Sequence, residues 1–270
     1  MSADEHAVRP VPPGVITEDY TEDQEIGLLK SGKEADVFLF RRHGADGRPC
    51  LLAGKRYRPV DQRAFRNDAI YRAHRRIDGL VRDGDRKRRP KSGRSTQLAM
   101  DKKTGYGMKV LAERWIDAEY ETLTTLWNAG APVPYPAGRL DDGILMEFVG
   151  DEEYAAPRLV DAKVERGALP GLYEQLREAL HTFVRAGIVH ADLSPYNTLL
   201  WKENLWIIDL PQSVTVLESE AATELLHHDV NTMSAWFTRK GLDVDAEELF
   251  VELVIEMSDL QMRDLFLAGG

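Results

Sequence analysis

His190, Asp192, Asn197 and Asp209 fall within one short stretch, HADLSPYNTLLWKENLWIID, where β-rich apolar runs separate the polar side chains. Spacing of the form H-x-D-x-x-x-x-N, followed by a strand that ends in Asp, suits phosphoryl transfer. That chemistry depends mainly on positioning and electrostatics. It needs a carboxylate beside the attacking hydroxyl and hard oxygen ligands for magnesium bridging the phosphates. Asp192 is the candidate base, and Asn197 and Asp209 are the candidate metal ligands. An Asp in a loop is by itself more often a turn or capping residue; the shared spacing is what favours chemistry here. His190, flanked by apolar residues, reads as a hydrogen-bonded brace for the loop rather than as a proton carrier.

The elements that must position these groups are legible nearby. Leu172, Leu176, Leu180, Phe183 and Val184 recur at helical spacing and Gly187 follows them, which predicts a helix over residues 171–186. Ile188 and Val189 then form a short buried strand. Residues 198–201 and 205–208 read as two strands separated by Lys202, Glu203 and Asn204, so that Asn197 and Asp209 emerge on the same side.

The first half of the chain offers partners for such a centre. Residues 30–40, KSGKEADVFLF, begin with a Gly-containing turn and continue as a strand with Ala35, Val37 and Leu39 on one face. Backbone N–H groups of the turn and the Lys33 ammonium can cradle phosphates, although an exposed hairpin lysine is the simpler reading of Lys33 taken alone. Lys55 emerges from the apolar run LLAGKRY. Apolar residues recur from Met108 through Leu111, Trp115, Leu123 and Leu126, and Glu119 lies on that stripe. A carboxylate on a core face is costly unless paired, and Lys55 is its natural partner. Glu121, about 200 degrees further round, is predicted to be solvated. GAPVPYP ends this helix, and ILMEFV follows as a buried strand.

HADLSPYN followed by IIDLPQSV resembles the catalytic and metal-binding loops of the RIO family of atypical serine/threonine protein kinases, its first subfamily in particular. Ordinary protein kinases carry a lysine two residues after the loop Asp, where this chain has Ser194, and D-F-G where it has Asp209, Leu210 and Pro211. Antibiotic kinases share the skeleton without these flanks. The resemblance runs in patches from about Leu29 to Phe250. It implies an α+β, bilobal protein-kinase-like fold: an N lobe of antiparallel sheet plus helix over residues 18–146, and a hinge with a mainly helical C lobe over residues 147–270, without the activation segment or the last kinase subdomains. It also implies ATP and Mg2+ as cofactors, with Mn2+ able to stand in. Ser31, Gly32 and Lys33 match the family's phosphate loop, Ser-Thr-Gly-Lys-Glu-Ala, with Lys30 in place of its first Ser, and Val37 follows. Lys55 would hold phosphates and be oriented by Glu119. Adenine would meet main-chain groups of Glu147 and Val149, with Met146 behind it; a plain buried strand is the alternative reading of that segment.

Composition sets outer limits. At 270 residues and 43% hydrophobic the chain can bury a substantial core. No apolar run suits a membrane span, and the first sixteen residues lack a signal-peptide core. Pro10, Pro12 and Pro13 predict a disordered tail over residues 1–17. Cys50 is the single cysteine, which suits a reducing cytoplasm. The net charge of -10 argues against general nucleic-acid binding, yet seven of the thirteen residues between Arg82 and Arg94 are basic. They belong to a flexible insertion expected over about 82–105, which reads equally as a dock for RNA or an acidic partner and as a solvated loop. Helices are predicted over residues 221–227, 230–240 and 246–256, with Gly241 closing the second. The 61 residues after Asp209 (270 minus 209) are too few for an ordinary kinase's substrate platform. His227 and His228 face different ways and read as structural. The expected activity is ATP-dependent phosphorylation of serine or threonine on a protein substrate, with autophosphorylation compatible. The alternative is an ATPase switch that forms a transient aspartyl-phosphate on Asp209 and times release from a protein or ribonucleoprotein partner.

Overall fold

The computed structural model describes residues 9–58, 105–217 and 219–268. The basic insertion, including Arg82 to Arg94, lies outside these residues. Strands β1 (Tyr20–Ser31), β2 (Ala35–Gly44) and β3 (Pro49–Tyr57) are followed by helix α1 (Gly105–Asn128), then β4 (Pro136–Leu140) and β5 (Gly143–Glu147). These strands form one antiparallel sheet in the order β1-β2-β3-β5-β4. β1, a largely exposed edge strand, is missing from the pattern expected from sequence, because its side chains do not alternate and its register to β2 is interrupted three times. Gly54 is needed on β3: a Cβ there would meet the Phe40 ring at 2.2 Å.

The second half is mainly helical. A 3-10 turn (Arg166–Ala168) leads into α2 (Leu169–Arg185), then β6 (Ile188–Val189), the hairpin β7 (Thr198–Trp201) and β8 (Asn204–Ile207), β9 (Val214–Thr215), α3 (Ala222–Lys240) and α4 (Ala246–Ala268). α2 buries Leu172, Leu176, Leu180, Phe183 and Val184, the stripe read from sequence. It ends beside Gly187, whose φ of 74° is in the left-handed region that favours glycine. The hairpin closes through Lys202 and Glu203, both with positive φ, as a two-residue turn between right-twisted strands requires. One continuous core unites α1, α2, α3, α4 and the hairpin.

Three expectations differ from the structure. The tail predicted over residues 1–17 is packed from Arg9 onward. Arg9 donates to Ala131 O at 2.9 Å and lies 3.7 Å above the Trp127 ring, while Val15 and Ile16 pack against the sheet. Buried Arg42 holds this segment, donating to Ile16 O at 2.8 Å and twice to Asp23. Residues 1–8 lie outside the described residues. The two helices expected over 221–227 and 230–240 are one helix, α3. His228 and Asp229 do not interrupt it, because the Asp229 carboxylate turns away from its own backbone into the core. α4 continues well past Glu256, since Met257 and Leu260 extend its apolar contact with the core.

Candidate active site

The loop between β6 and β7 is fixed by buried and part-buried hydrogen bonds. Asp192 N–H donates to His190 Nδ1 at 3.3 Å, which leaves Nε2–H to donate to Ile208 O at 3.1 Å. Burial lowers the His190 pKa and keeps the ring neutral. Both nitrogens are therefore committed, and the ring is a brace. Asn197 donates its amide N–H to Asp192 O at 2.8 Å and Asp192 Oδ2 at 3.0 Å. Its carbonyl oxygen stays free of these two bonds. Ile208 N–H donates to Asn197 O at 3.0 Å, so the hairpin returns the chain beside Asn197 one residue before Asp209.

Asp229, on α3, is the residue that sequence reasoning missed. It is fully buried and accepts from Ala191 N–H and Leu193 N–H, both at 2.8 Å, so it grips the backbone on either side of Asp192. Ala191 has a φ of 66°, a conformation that costs a residue with a Cβ about 1 kcal/mol and turns both N–H groups toward one carboxylate. Burial, with a smaller push from the charge of Asp192, raises the Asp229 pKa to about 7 despite those two bonds. The cue was present: Leu226, Val230, Met233 and Phe237 are buried on α3, and Asp229 shares that buried face.

Lys55 joins the halves of the molecule. Its ammonium lies 2.7 Å from Glu119 Oε1 on α1 and 2.7 Å from Asp209 Oδ1. Lys55 and Glu119 are buried, whereas the Asp209 side chain is 44% exposed. Burial alone would lower the Lys55 pKa, but Asp209 and Glu119 more than offset it and the net shift is upward. Lys55 holds the Asp209 carboxyl below the usual carboxylate range, while burial raises Glu119. One cation thus serves two carboxylates, with Asp192 adding a third negative group nearby. Asp209 Oδ2, Asn197 Oδ1 and Asp192 are hard oxygen donors, of the chemical type that would suit a divalent cation completed by water and phosphate oxygens. Asp209 also has positive φ, 71°, which Asp tolerates better than most residues.

The remaining predicted residues surround this centre unequally. Val37 pairs with Lys55 across β2 and β3 and so shares its face of the sheet. The β1–β2 turn carries Ser31, Gly32 and Lys33. Gly32 N–H donates to Ala35 O at 3.0 Å. Ser31 Oγ donates to Asp36 Oδ1 and accepts from Arg58 Nη2, both at 2.7 Å, so its hydroxyl is already engaged. Lys33 is exposed. Beyond β5, Val149 O accepts from Ala156 N–H at 2.9 Å, whereas the Val149 N–H has no protein partner among the described residues. The Glu147 carboxylate accepts from Tyr135 N–H at 3.1 Å, and Met146 is half-buried next to it. Glu121 is exposed.

Comparison with family models matches the RIO domain to residues 84–249. The chain belongs to the RIO family. A probable serine/threonine-protein kinase RIO1 homolog of Encephalitozoon cuniculi is 30% identical to it, over 88% of this chain and 60% of that protein. The RIO-type serine/threonine-protein kinase Rio1 of Haloferax volcanii is 34% identical over 83% of this chain and 67% of the relative. Its namesake from Thermoplasma acidophilum is 32% identical over 50% and 69%. This RIO chain shows the antiparallel N-terminal sheet and helical second half expected of a kinase-like α+β fold, with residues 210–221 alone separating Asp209 from α3. No helix among its described residues is long and apolar enough to cross a membrane.

Proposed function

We propose that this RIO domain is an ATP-dependent serine/threonine protein kinase acting in the cytoplasm, with Mg2+ as its metal. The observation that carries the reading is the Lys55 ammonium held between Glu119 and Asp209 at 2.7 Å each. It is a fixed cation within reach of the predicted metal ligands. Glu119 and Asp209 fix the Lys55 ammonium where it can meet phosphate oxygens, so its charge needs little reorganisation when a nucleotide arrives. Asn197 Oδ1 and the free oxygen of Asp209 would hold Mg2+, which supplies charge neutralisation of the phosphates when bound. Asn197, through its amide N–H, keeps one Asp192 oxygen in place. The other is left to orient a substrate hydroxyl and take its proton. The Val149 N–H and the Glu147 carbonyl would receive adenine. The names of the relatives, all serine/threonine kinases, support a hydroxyl acceptor on protein.

The test is labelled phosphate transfer from ATP to a protein mixture, with wild type beside Asp192→Asn and Lys55→Met. Acid-stable phosphoserine or phosphothreonine that both variants lose is the expected result. A hydroxylamine-labile label on Asp209 without phosphoserine would replace the reading by an ATPase switch.

A further inference from the structure

Residues 157–159 run antiparallel beside β7. Leu159 N–H donates to Thr198 O at 2.8 Å and Leu200 N–H donates to Pro157 O at 3.0 Å, which sets Arg158 opposite Leu199. Side chains alternate along an extended strand, and directly opposed residues share a face. Arg158 therefore lies on the face of Leu199 and Asn197, while its neighbour Leu159 is completely buried in the core.

The guanidinium has neither a hydrogen bond nor an ion pair among the described residues, although the residue is only partly exposed. Other arginines of this chain are differently placed: Arg42, Arg56, Arg58 and Arg177 each sit against a carboxylate. An arginine that is half-buried, unpaired among the described residues and on the hairpin face that register shares with Asn197 is placed for an anion that these residues do not supply. Arginine suits this role because its planar fork carries several donors and loses little on binding phosphate oxygens.

We propose that Arg158 is a further ligand-binding residue, donating to the phosphate chain of the bound nucleotide from the β7 side while Lys55 reaches it from β3. This rests on the nucleotide-binding reading above. The phosphate chain is preferred to an acidic side chain of a protein substrate because Arg158 shares its strand face with Asn197, one of the two groups that would hold metal on the phosphates. Lys55 is already shared by two protein carboxylates, so Arg158 contributes positive charge that no ion pair has neutralised.

The experiment is calorimetric binding of adenosine, ADP and ATP, the nucleotides with Mg2+, to wild type, Arg158→Gln and Arg158→Lys, with melting curves confirming that all three are folded. In Arg158→Gln, ADP and ATP are expected to weaken about tenfold, as loss of one charge-assisted bond implies, while adenosine keeps its affinity. Arg158→Lys is expected to recover part of that loss. Unchanged ADP and ATP binding in Arg158→Gln would overturn the assignment, as would an equal loss for adenosine, which would mean that Arg158 shapes the fold beyond β5 instead. Wild type that binds no adenine nucleotide would sink the kinase reading as well. Wild-type binding that survives Arg158→Gln intact sinks this inference alone.

Discussion

The candidate catalytic loop around Asp192 and the candidate phosphate-loop hairpin around Gly32 are both anchored by an aspartate, but in opposite surroundings. Under the catalytic loop, Asp229 is completely buried and accepts from two backbone N–H groups at 2.8 Å. At the hairpin, Asp36 accepts from the Ser31 hydroxyl at 2.7 Å and from Arg58 at 2.8 and 3.3 Å, and both members of the ion pair are partly exposed to solvent. Water can replace any of the hairpin contacts, whereas a buried donor that loses its acceptor bears the full cost of desolvation. The proposed base and metal ligands thus rest on a support that cannot adjust cheaply. The loop expected to close over phosphates rests on one that can.

Removing the buried support should have the largest effect. Asp229→Ala strands the Ala191 and Leu193 N–H groups, and at about 1–3 kcal/mol for each orphaned donor the loss in unfolding free energy should reach about 3 kcal/mol. Phosphoryl transfer should fall with it, because Ala191 loses the acceptor that offsets its left-handed backbone. Denaturant titration checks the first figure. A loss below about 1 kcal/mol would mean that solvent reaches the loop from beneath and that the contrast with the hairpin is unfounded.

Glu119→Gln comes next. The amide keeps an acceptor for Lys55 but removes the charge, so a destabilisation of about 1–2 kcal/mol is expected, together with a raised KM for ATP as Lys55 shifts toward Asp209. Unaltered KM would show that Asp209 alone suffices to orient the ammonium.

Asp229 also gives the contrast a pH signature. Its folded pKa of about 7 lies well above an ordinary aspartate. A raised pKa favours the protonated form in the fold, so the stability tied to that form is complete below the unfolded value near 4. It is lost progressively as pH rises and is gone once pH passes about 7. Wild type should therefore lose stability between pH 5 and 7 with a slope that exceeds that of Asp229→Asn by up to one proton. Parallel stability curves would assign the titration to another group. Asp36, which its partners hold below its normal range, contributes no such slope in that window.

What was legible in the sequence follows the same division. Glu119 was found because a carboxylate on an otherwise apolar helical stripe requires a partner, and Lys55 is that partner at 2.7 Å. Asp229 satisfies the same criterion on α3. It was obscured because the adjacent His227, His228 and Asp229 look like a polar break, and its partners are backbone N–H groups that carry no residue identity. The hairpin, α2 and the convergence of Asn197 and Asp209 were readable because each depends on local periodicity and turn chemistry. β1 was not, since its exposed, irregular pairing leaves no alternation. Nor was the Arg9 docking, which depends on contacts with Trp127 and Ala131 more than a hundred positions away. The Ser31–Asp36–Arg58 contact joins the β1–β2 turn to the residue that follows β3, and only the strand register brings them together.

That surface contact supplies the smallest predicted effect. Asp36→Asn preserves shape and removes the charge that holds Arg58, so the melting temperature should not shift measurably. The KM for ATP should change severalfold with kcat nearly constant, because the variant alters how the hairpin settles on phosphates and leaves Asp192, Asn197 and Asp209 untouched. Arg58→Gln should behave like Asp36→Asn, and the double variant should add little, as expected when two residues act through one contact. Salt gives an independent check: raising ionic strength screens an exposed pair and leaves a buried one nearly intact. Salt should therefore narrow the KM difference between wild type and Asp36→Asn while leaving the instability of Asp229→Ala unchanged. If instead Asp36→Asn lowered stability as much as Asp229→Ala, the hairpin would be as rigidly seated as the catalytic loop, and closure over phosphates would have to come from movement of the whole sheet.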